Sequence, residues 1–244
     1  MAVTSGFWNR AIQWGVAVIL ILVLVSLILP GVQTTGHRRR PQCMSNLRNI
    51  VLALHNYHSG HGSLPPAYIS DANGRPMHSW RVLILPYLDR NDLYQLYRFD
   101  EPWDGPNNSK LHNLIGDAFR CPQDHRGARS TETSYVAIVG QETIWPADRV
   151  VKLDEVSDGL SSTLLVVEIA NSGIHWMQPR DLHVSQMSRT INGKSGQGIS
   201  SAHPGGAVVG FADGHVRFLS EMTPAATIEA LLTIRGGETI PESF

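Results

Sequence analysis

The N-terminal part of the chain contains an uncharged run that is long enough to cross a membrane. The run extends from Ala11 to Gly36, 26 residues without a charged side chain, and its centre between Trp14 and Leu29 is almost entirely apolar. About 20 helical residues span the hydrocarbon core of a bilayer, whereas a buried core helix usually keeps a polar face. A cleaved signal peptide has a shorter apolar region and a small-x-small cleavage site. We therefore predict an uncleaved single-pass anchor whose partner is the lipid bilayer.

The anchor divides the chain of 244 residues into three parts. These are a short flank at 1–10, the transmembrane anchor at 11–36 and a body at 37–244. Lys and Arg number 20 and Asp and Glu number 21, which gives a formal net charge of -1. A nucleic-acid binder usually has a clear basic excess, so the composition argues against a nucleic-acid partner.

The side of the membrane on which the body lies is indicated by two opposing signals. Arg38, Arg39 and Arg40 follow the anchor, whereas Arg10 and the α-amino group precede it. Positive-inside counting therefore favours a cytoplasmic body by about one charge. The two cysteines, Cys43 and Cys121, suit a single disulfide in an oxidising compartment. The other interpretation of the cysteines is two unrelated buried thiols.

Within the body, helical patterns come first and strand patterns follow. Leu47, Ile50 and Leu54 fall on one apolar stripe at helical spacing, in a helix with Pro41 in its first turn and glycines at its end. The strand patterns are short apolar runs bounded by Gly, Asp and Ser. They lie at Tyr135–Val139, Val150–Leu153, Thr163–Ile169, Ala207–Phe211 and Val216–Leu219.

This order predicts the α+β fold class, with a long N-terminal membrane helix packed on a mostly antiparallel β-sheet head. Asp213 and Gly214 separate the last two strand patterns and predict a hairpin with a type I′ turn. The polar segment from Ser185 to Ser200 is predicted to be a mobile loop.

Several stretches of the body resemble one bacterial family, domain of unknown function (DUF) 1559, described as prepilin-type processing-associated His-(nine residues)-Asp-Gly proteins. The signature corresponds to His203, Asp213 and Gly214. The other matching stretches run in order from Leu29 to Glu238 and include Gln42–Leu47, Leu52–His58, His78–Leu88, Asp100–Asp104, Cys121–Asp124 and Thr133–Val136.

The resemblance implies a pilin-like or pseudopilin-like N-terminus and a body outside the cytoplasm, and it implies no defined biochemical activity. Members of the family usually begin with a Gly-Phe-Thr-Leu-x-Glu processing site, whereas this chain has Gly6-Phe7-Trp8-Asn9-Arg10-Ala11. In pilin-like subunits, this glutamate takes part in filament assembly. We therefore expect the N-terminus to remain uncleaved at Gly6.

Polar residues that could carry chemistry concentrate on the late strands and loops. Asp158, Glu168, Asp181 and Asp213 are candidate metal ligands, with calcium as the candidate cofactor. Structural roles compete with this interpretation, because Asp-Gly pairs form turns and His203 can bond the backbone of its Pro-Gly-Gly loop. A buried Glu168 needs a partner, for which Arg180, Arg217 and His203 are available.

Catalysis is not expected, and no catalytic residue is assigned. Ser201, His203 and Asp213 are the residue types of a hydrolase triad, but the sequence has no Gly-x-Ser-x-Gly elbow. Two functions are compatible with the sequence. The first is a membrane-anchored, pseudopilin-like envelope protein, structural or interacting with other envelope or pseudopilin-like subunits of a secretion system. The second is an anchored domain that binds a saccharide or a metal in loops near Trp103, Trp145 and Trp176.

Overall fold

The computed structural model describes residues 14–20, 24, 36–124, 130–194 and 196–240. The chain divides into two compact units, Met1–Thr35 and Gly36–Phe244. In the first unit, residues 14–20 are helical. The anchor predicted at 11–36 lies mainly outside the described residues, as does the flank at 1–10. Among the helices of the described residues, none is both long enough and apolar enough to span a bilayer.

The second unit begins with its longest helix, α1, at Gly36–His61. Leu47, Ile50 and Leu54 are completely buried on one face of α1, as the apolar stripe predicted. The helix ends where Gly62 adopts a positive φ of 77° and donates its N–H to the carbonyl of His58, the usual left-handed C-terminal cap. The prediction for Pro41 was wrong, because α1 begins five residues earlier and Pro41 lies inside it.

The other helices are short. They are α2 at Trp80–Leu83, α3 at Asn91–Leu96 and α4 at Ala225–Ala230. Short 3-10 segments occur at Leu85–Leu88, Asn108–Leu114, Asp117–Phe119, Leu153–Glu155 and Leu160–Ser162. Pro86 explains the change from α2 to a 3-10 turn, since proline cannot donate the next helical hydrogen bond.

The strands form one four-stranded sheet and two strand pairs. The strands are β1 Tyr68–Ser70, β2 Pro76–Ser79, β3 Tyr135–Val136, β4 Ile138–Val139, β5 Leu164–Glu168, β6 Leu182–His183, β7 Gly206–Phe211 and β8 Val216–Ser220. The main sheet has the order β3-β5-β7-β8 and is antiparallel throughout. β1 pairs with β2 antiparallel, and β4 pairs with β6 parallel. The predicted α+β class and its mostly antiparallel sheet are therefore confirmed.

Both faces of the main sheet are covered. Val166 and Val208 belong to the core cluster that includes the buried face of α1, whereas Val167 and Val209 pack in a second cluster with Ile228 of α4. This explains why β5 and β7 are continuous apolar runs in the sequence rather than alternating ones. A Cβ atom at Gly210 would lie 2.6 Å from Cγ2 of Val51, so this glycine lets α1 approach β7 closely.

Two local predictions were wrong in detail. Val150–Leu153 forms no strand, and only its last residue belongs to a regular element, the 3-10 turn. The β7–β8 hairpin is present, but its turn is not type I′, because Gly214 has a positive φ of 102° and Asp213 does not. Ser185–Ser200, predicted to be a mobile loop, carries three buried apolar side chains among its described residues, those of Met187, Ile191 and Ile199, which pack in the second core cluster. The mobility of this segment stays a prediction.

Candidate functional site

Four side chains from four separate segments meet inside the second unit, and we call them the cysteine cluster. They are Cys43 of α1, Cys121 after the 3-10 turn, Glu168 at the end of β5 and His203 before β7. All four residues are buried, with at most 4% of their surface exposed. One ligand atom of each lies within 4.8 Å of those of the others.

Cys43 and Cys121 are joined by a disulfide in this structure, with their Cα atoms 5.2 Å apart. The amide nitrogen of Asn46, one turn after Cys43, donates to the carbonyls of Asp117 and Arg120 at 2.9 Å each. The backbone N–H of Cys121 donates to the hydroxyl of Ser134 at 3.0 Å. These bonds hold the segment before β3 against α1, and so they fix the positions of both sulfur atoms.

Glu168 is a buried carboxyl group with one partnered and one unpartnered oxygen. Its Oε2 accepts the backbone N–H of Val208 at 3.0 Å. Among the described residues, its Oε1 has no hydrogen-bond donor. Burial, with a contribution from Asp124, raises the pKa of Glu168 to about 8, against the opposing effects of the Val208 N–H and Arg40. At neutral pH the carboxyl group is therefore mostly protonated.

His203 faces both neighbours through the same ring nitrogen. Its Nε2 lies 3.5 Å from Sγ of Cys121 and 3.8 Å from Oε1 of Glu168. Burial first, and Arg40 second, lowers the pKa of His203, so the imidazole is neutral at physiological pH. The ring does not bond the backbone of its own loop, contrary to the prediction; the loop is held instead by Ser201, whose hydroxyl donates to the carbonyl of Gly206 at 2.8 Å.

Arg40 is the residue near this site that the sequence did not identify. Its guanidinium carbon lies 3.1 Å from the centroid of the Phe218 ring, and its charge acts on both Glu168 and His203. The sequence offered Arg180, Arg217 and His203 as partners of Glu168, and His203 is placed beside it. Arg180 instead donates to the carbonyl of Gly173.

A cavity of about 470 Å³ opens beside the cysteine cluster. Its lining includes Cys121 and Glu168, together with polar side chains from the loops around them: Asp124, Ser134, Asn171, Asn192, Ser200 and Ser201. Cys121 and Glu168 therefore line both the cavity and the cysteine cluster.

The structure does not bring the four candidate metal carboxylates to one place. Asp158 accepts the N–H groups of Gly236 and Gly237 at 2.7 and 2.9 Å, which fixes the C-terminal segment. Asp213 accepts both the backbone N–H and the ring Nδ1–H of His215 at 3.0 and 2.6 Å within the hairpin turn. Of the candidate ligands, only Glu168 belongs to the cysteine cluster.

Asp181, the remaining candidate, forms a buried ion pair with Arg81. The two side chains are 2% and 0% exposed. Asp181 also accepts the N–H of Ala137 at 2.8 Å and the indole N–H of Trp80 at 3.1 Å. Burial raises the pKa of Asp181 and lowers that of Arg81, and each is the counter-ion that keeps the other charged.

The three tryptophans expected near a ligand site are mostly internal. Trp176 and Trp145 are 0% and 2% exposed. Trp103 is partly buried, and its ring stacks on His112 with the centroids 5.3 Å apart. Trp145 and Trp176 therefore belong to the core and do not offer a stacking surface to a saccharide.

The protonation of Glu168 leads to a testable dependence of stability on pH. Because its pKa is about 8 in the folded protein and near 4.5 otherwise, folding takes up a proton between these values and stability falls as pH rises through them. In Glu168→Gln the side-chain amide oxygen can still accept the N–H of Val208. The substitution removes the ionisable group, so stability should no longer fall as pH rises through this range. We expect the variant to equal the wild type at pH 4 and to be about 2–4 kcal/mol more stable at pH 8.

Urea denaturation of the oxidised protein in the presence of a chelator measures this effect. The control is Glu229→Gln, since the Glu229 side chain is 61% exposed and its replacement should change stability by less than about 0.5 kcal/mol at each pH. A constant difference between Glu168→Gln and the wild type across the pH range would contradict the prediction.

Comparison with known sequences identifies the family of the chain. The sequence model described as a protein of unknown function (DUF1559) matches two overlapping segments, residues 38–189 and 170–226. No curated protein and no solved structure was found to match. The family match covers both cysteines, Glu168, the His203 and Asp213-Gly214 signature and all eight strands. The chain therefore belongs to the DUF1559 family.

Proposed function

We propose that this protein is a membrane-anchored, pseudopilin-like protein of the cell envelope, with a structural or interaction role rather than a catalytic one. The observation that supports this most directly is the arrangement of α1. A helix of 26 residues lies on an antiparallel sheet, and in the sequence it begins where the uncharged run of Ala11–Gly36 ends. A long helix that leaves a membrane segment and lies on a small sheet is the arrangement expected of a pilin-like subunit.

The disulfide supports a body on the outer side of the membrane. Disulfides persist in oxidising compartments and are rare in the bacterial cytoplasm. The Cys43–Cys121 link connects the start of the helix to the segment just before the main sheet, so it stabilises the part of the body that lies nearest to the anchor in sequence. The positive-inside bias of Arg38–Arg40 is the opposing signal, and it amounts to about one charge.

Filament assembly is a weaker expectation than anchoring. The segment Gly6–Ala11 lacks the glutamate of the usual processing site. A carboxylate inside the membrane is costly and is kept only where it has a function, which in pilin-like subunits is filament assembly. We propose that the protein keeps its N-terminus and stays in the membrane as an individual anchored subunit that contacts other envelope proteins.

Fractionation of cells that produce the C-terminally tagged full-length protein tests the proposal. We expect the protein to stay in carbonate-washed membranes with Gly6 present by N-terminal sequencing, to be absent from sheared filaments, and to be digested by protease added outside the cytoplasmic membrane. Leu20→Arg combined with Leu24→Arg should release it, since each charge at the centre of a span costs about 2.5–3.5 kcal/mol.

The matched control is Leu52→Arg, which places the same charge on an exposed position of α1 and should leave the protein in the membrane. Wild-type protein that carbonate extracts, or a body that protease reaches only after the cytoplasmic membrane is opened, would contradict the anchored extracytoplasmic assignment.

A second candidate function is an anchored ligand-binding domain. The observation that favours it is the polar cavity of about 470 Å³ beside the cysteine cluster. Binding of a metal by the purified protein is the measurement that separates this candidate from a purely structural role.

A further inference from the structure

The cysteine cluster has the composition of a transition-metal site. Two cysteine sulfurs, one imidazole nitrogen and one carboxylate oxygen lie within 4.8 Å of one another. Thiolate, imidazole and carboxylate are the three ligand types of protein-bound zinc, which is most often four-coordinate. Calcium prefers oxygen ligands only, so these four residues favour zinc over the calcium expected from the sequence.

Two distances between ligand atoms are close to those of a tetrahedral zinc site. Zinc lies about 2.3 Å from sulfur and about 2.0–2.1 Å from nitrogen, so a tetrahedron places a sulfur and a nitrogen about 3.6 Å apart. Sγ of Cys121 and Nε2 of His203 are 3.5 Å apart here. Nε2 of His203 and Oε1 of Glu168 are 3.8 Å apart, where a tetrahedron requires about 3.3 Å. A tetrahedral site also requires the two sulfur atoms, which are bonded here, to lie about 3.8 Å apart.

An unpartnered buried atom points to the same ligand independently. Oε1 of Glu168 has no hydrogen-bond donor among the described residues, although the residue is only 1% exposed. A buried polar atom without a partner costs free energy, and native proteins seldom keep one without a reason. A cation bound between Glu168, His203 and the two sulfurs would supply the missing partner.

We propose that the reduced form of this protein binds one zinc ion through Cys43, Cys121, Glu168 and His203, and that the disulfide is the metal-free form of the same site. A dithiol supplies two electrons and two protons to the Cys43–Cys121 bond and becomes a disulfide itself. Zinc then displaces the protons of both thiols and of the carboxyl group. Thiol–disulfide exchange with a small-molecule disulfide, which takes up the two electrons and becomes a dithiol, restores the Cys43–Cys121 bond and releases the ion, and Glu168 takes up a proton again.

The surroundings of the cluster are suited to this exchange. Two thiolates and a carboxylate give the zinc-bound site a net charge of -1, and the positive Arg40 acts on Glu168 from nearby. The cavity of about 470 Å³ is lined by Cys121 and Glu168, so two of the four proposed ligands face a space large enough for an ion. The site belongs to the body and does not depend on the proposed anchor.

Metal titration of the full-length chain in detergent tests the proposal. The protein is reduced with a dithiol, desalted without oxygen, and titrated with zinc and with cobalt. We expect one zinc per reduced chain, a thiolate-to-cobalt charge-transfer band with the strong visible absorption of tetrahedral cobalt, and no zinc binding at the cluster in the oxidised chain.

Variants of the two ligands other than cysteine identify the site. Glu168→Gln and His203→Ala should each weaken zinc binding to the reduced chain at least tenfold and change the cobalt spectrum. Asp213→Asn, a signature residue outside the cluster, should bind zinc within twofold of the wild type. Circular dichroism of each reduced variant shows whether it is folded. If one of the two ligand variants does not fold, the other still tests the site.

Two outcomes would overturn the proposal. The first is that the reduced wild-type chain shows no thiolate-to-cobalt charge-transfer band when cobalt is added. The second is equal zinc affinity in the wild type, Glu168→Gln and His203→Ala, since that result assigns the binding to a dithiol without Glu168 and His203.

Discussion

Replacing Asp181 by alanine is expected to lower the free energy of unfolding by about 3–5 kcal/mol. The guanidinium of Arg81 is completely buried and would lose its only carboxylate partner among the described residues. The N–H groups of Ala137 and Trp80 would lose their acceptor in the same substitution. An uncompensated buried charge is among the most destabilising results of a single substitution.

Urea denaturation measures this loss, and the chain offers a matched control. Asp117 pairs with Arg120, but its side chain is 95% exposed, so Asp117→Ala should cost less than about 1 kcal/mol. The double variant Arg81→Met/Asp181→Leu removes both charges and should recover the part of the loss that comes from the unpaired guanidinium. It should not recover the part that comes from the N–H groups of Ala137 and Trp80, which stay without their acceptor. Equal effects of Asp181→Ala and Asp117→Ala would contradict the assignment.

Loss of the disulfide is the second large expected effect. Cys43 and Cys121 are separated by 78 residues, and opening a loop of this size should cost about 2–5 kcal/mol under oxidising conditions. Cys43→Ala and Cys121→Ala should each lose nearly the whole amount, and the double variant should lose little more, because one bond is broken in all three. The measurement is again urea denaturation, with a chelator present.

Additivity distinguishes this result from the alternative of two independent buried thiols. If the losses of the single variants sum to that of the double variant, the cysteines act separately. Peptide mapping of the protein extracted from membranes without reductant provides a direct check, since it should recover a peptide in which Cys43 is linked to Cys121.

The class of the fold could be predicted because the local patterns agree with the packing. The apolar stripe of α1 and the apolar runs of β5, β7 and β8 mark segments whose neighbours are fixed by burial. The run Tyr135–Val139 was predicted as one strand but forms two, and the reason is tertiary. The N–H of Ala137 donates to the carboxylate of Asp181 instead of to a strand, so β3 pairs with β5 and β4 pairs with β6.

Only part of the candidate site could be predicted from the sequence. His203 and the two cysteines could be singled out, by the family resemblance and by their count, and Glu168 could be predicted as buried because it ends an apolar run. The sequence could not predict that these four residues lie together. Their proximity depends on the pairing of β5 with β7 and on the 3-10 turn at Asp117–Phe119, which Asn46 holds against α1. The buried ion pair of Arg81 could have been predicted, because a charged residue inside the apolar run Trp80–Leu85 implies a buried partner.

The position of the disulfide has a mechanical consequence for a protein held at its N-terminal end. Tension applied at Gly36 travels about two turns along α1 before it reaches Cys43. From there a covalent link carries the load to Cys121, and the chain continues into β3 of the main sheet. The segment between the two cysteines, with α2, α3 and the β1–β2 hairpin, is thereby shielded from the load. While the link is intact, force bypasses these elements, and reduction of the link makes them part of the load path.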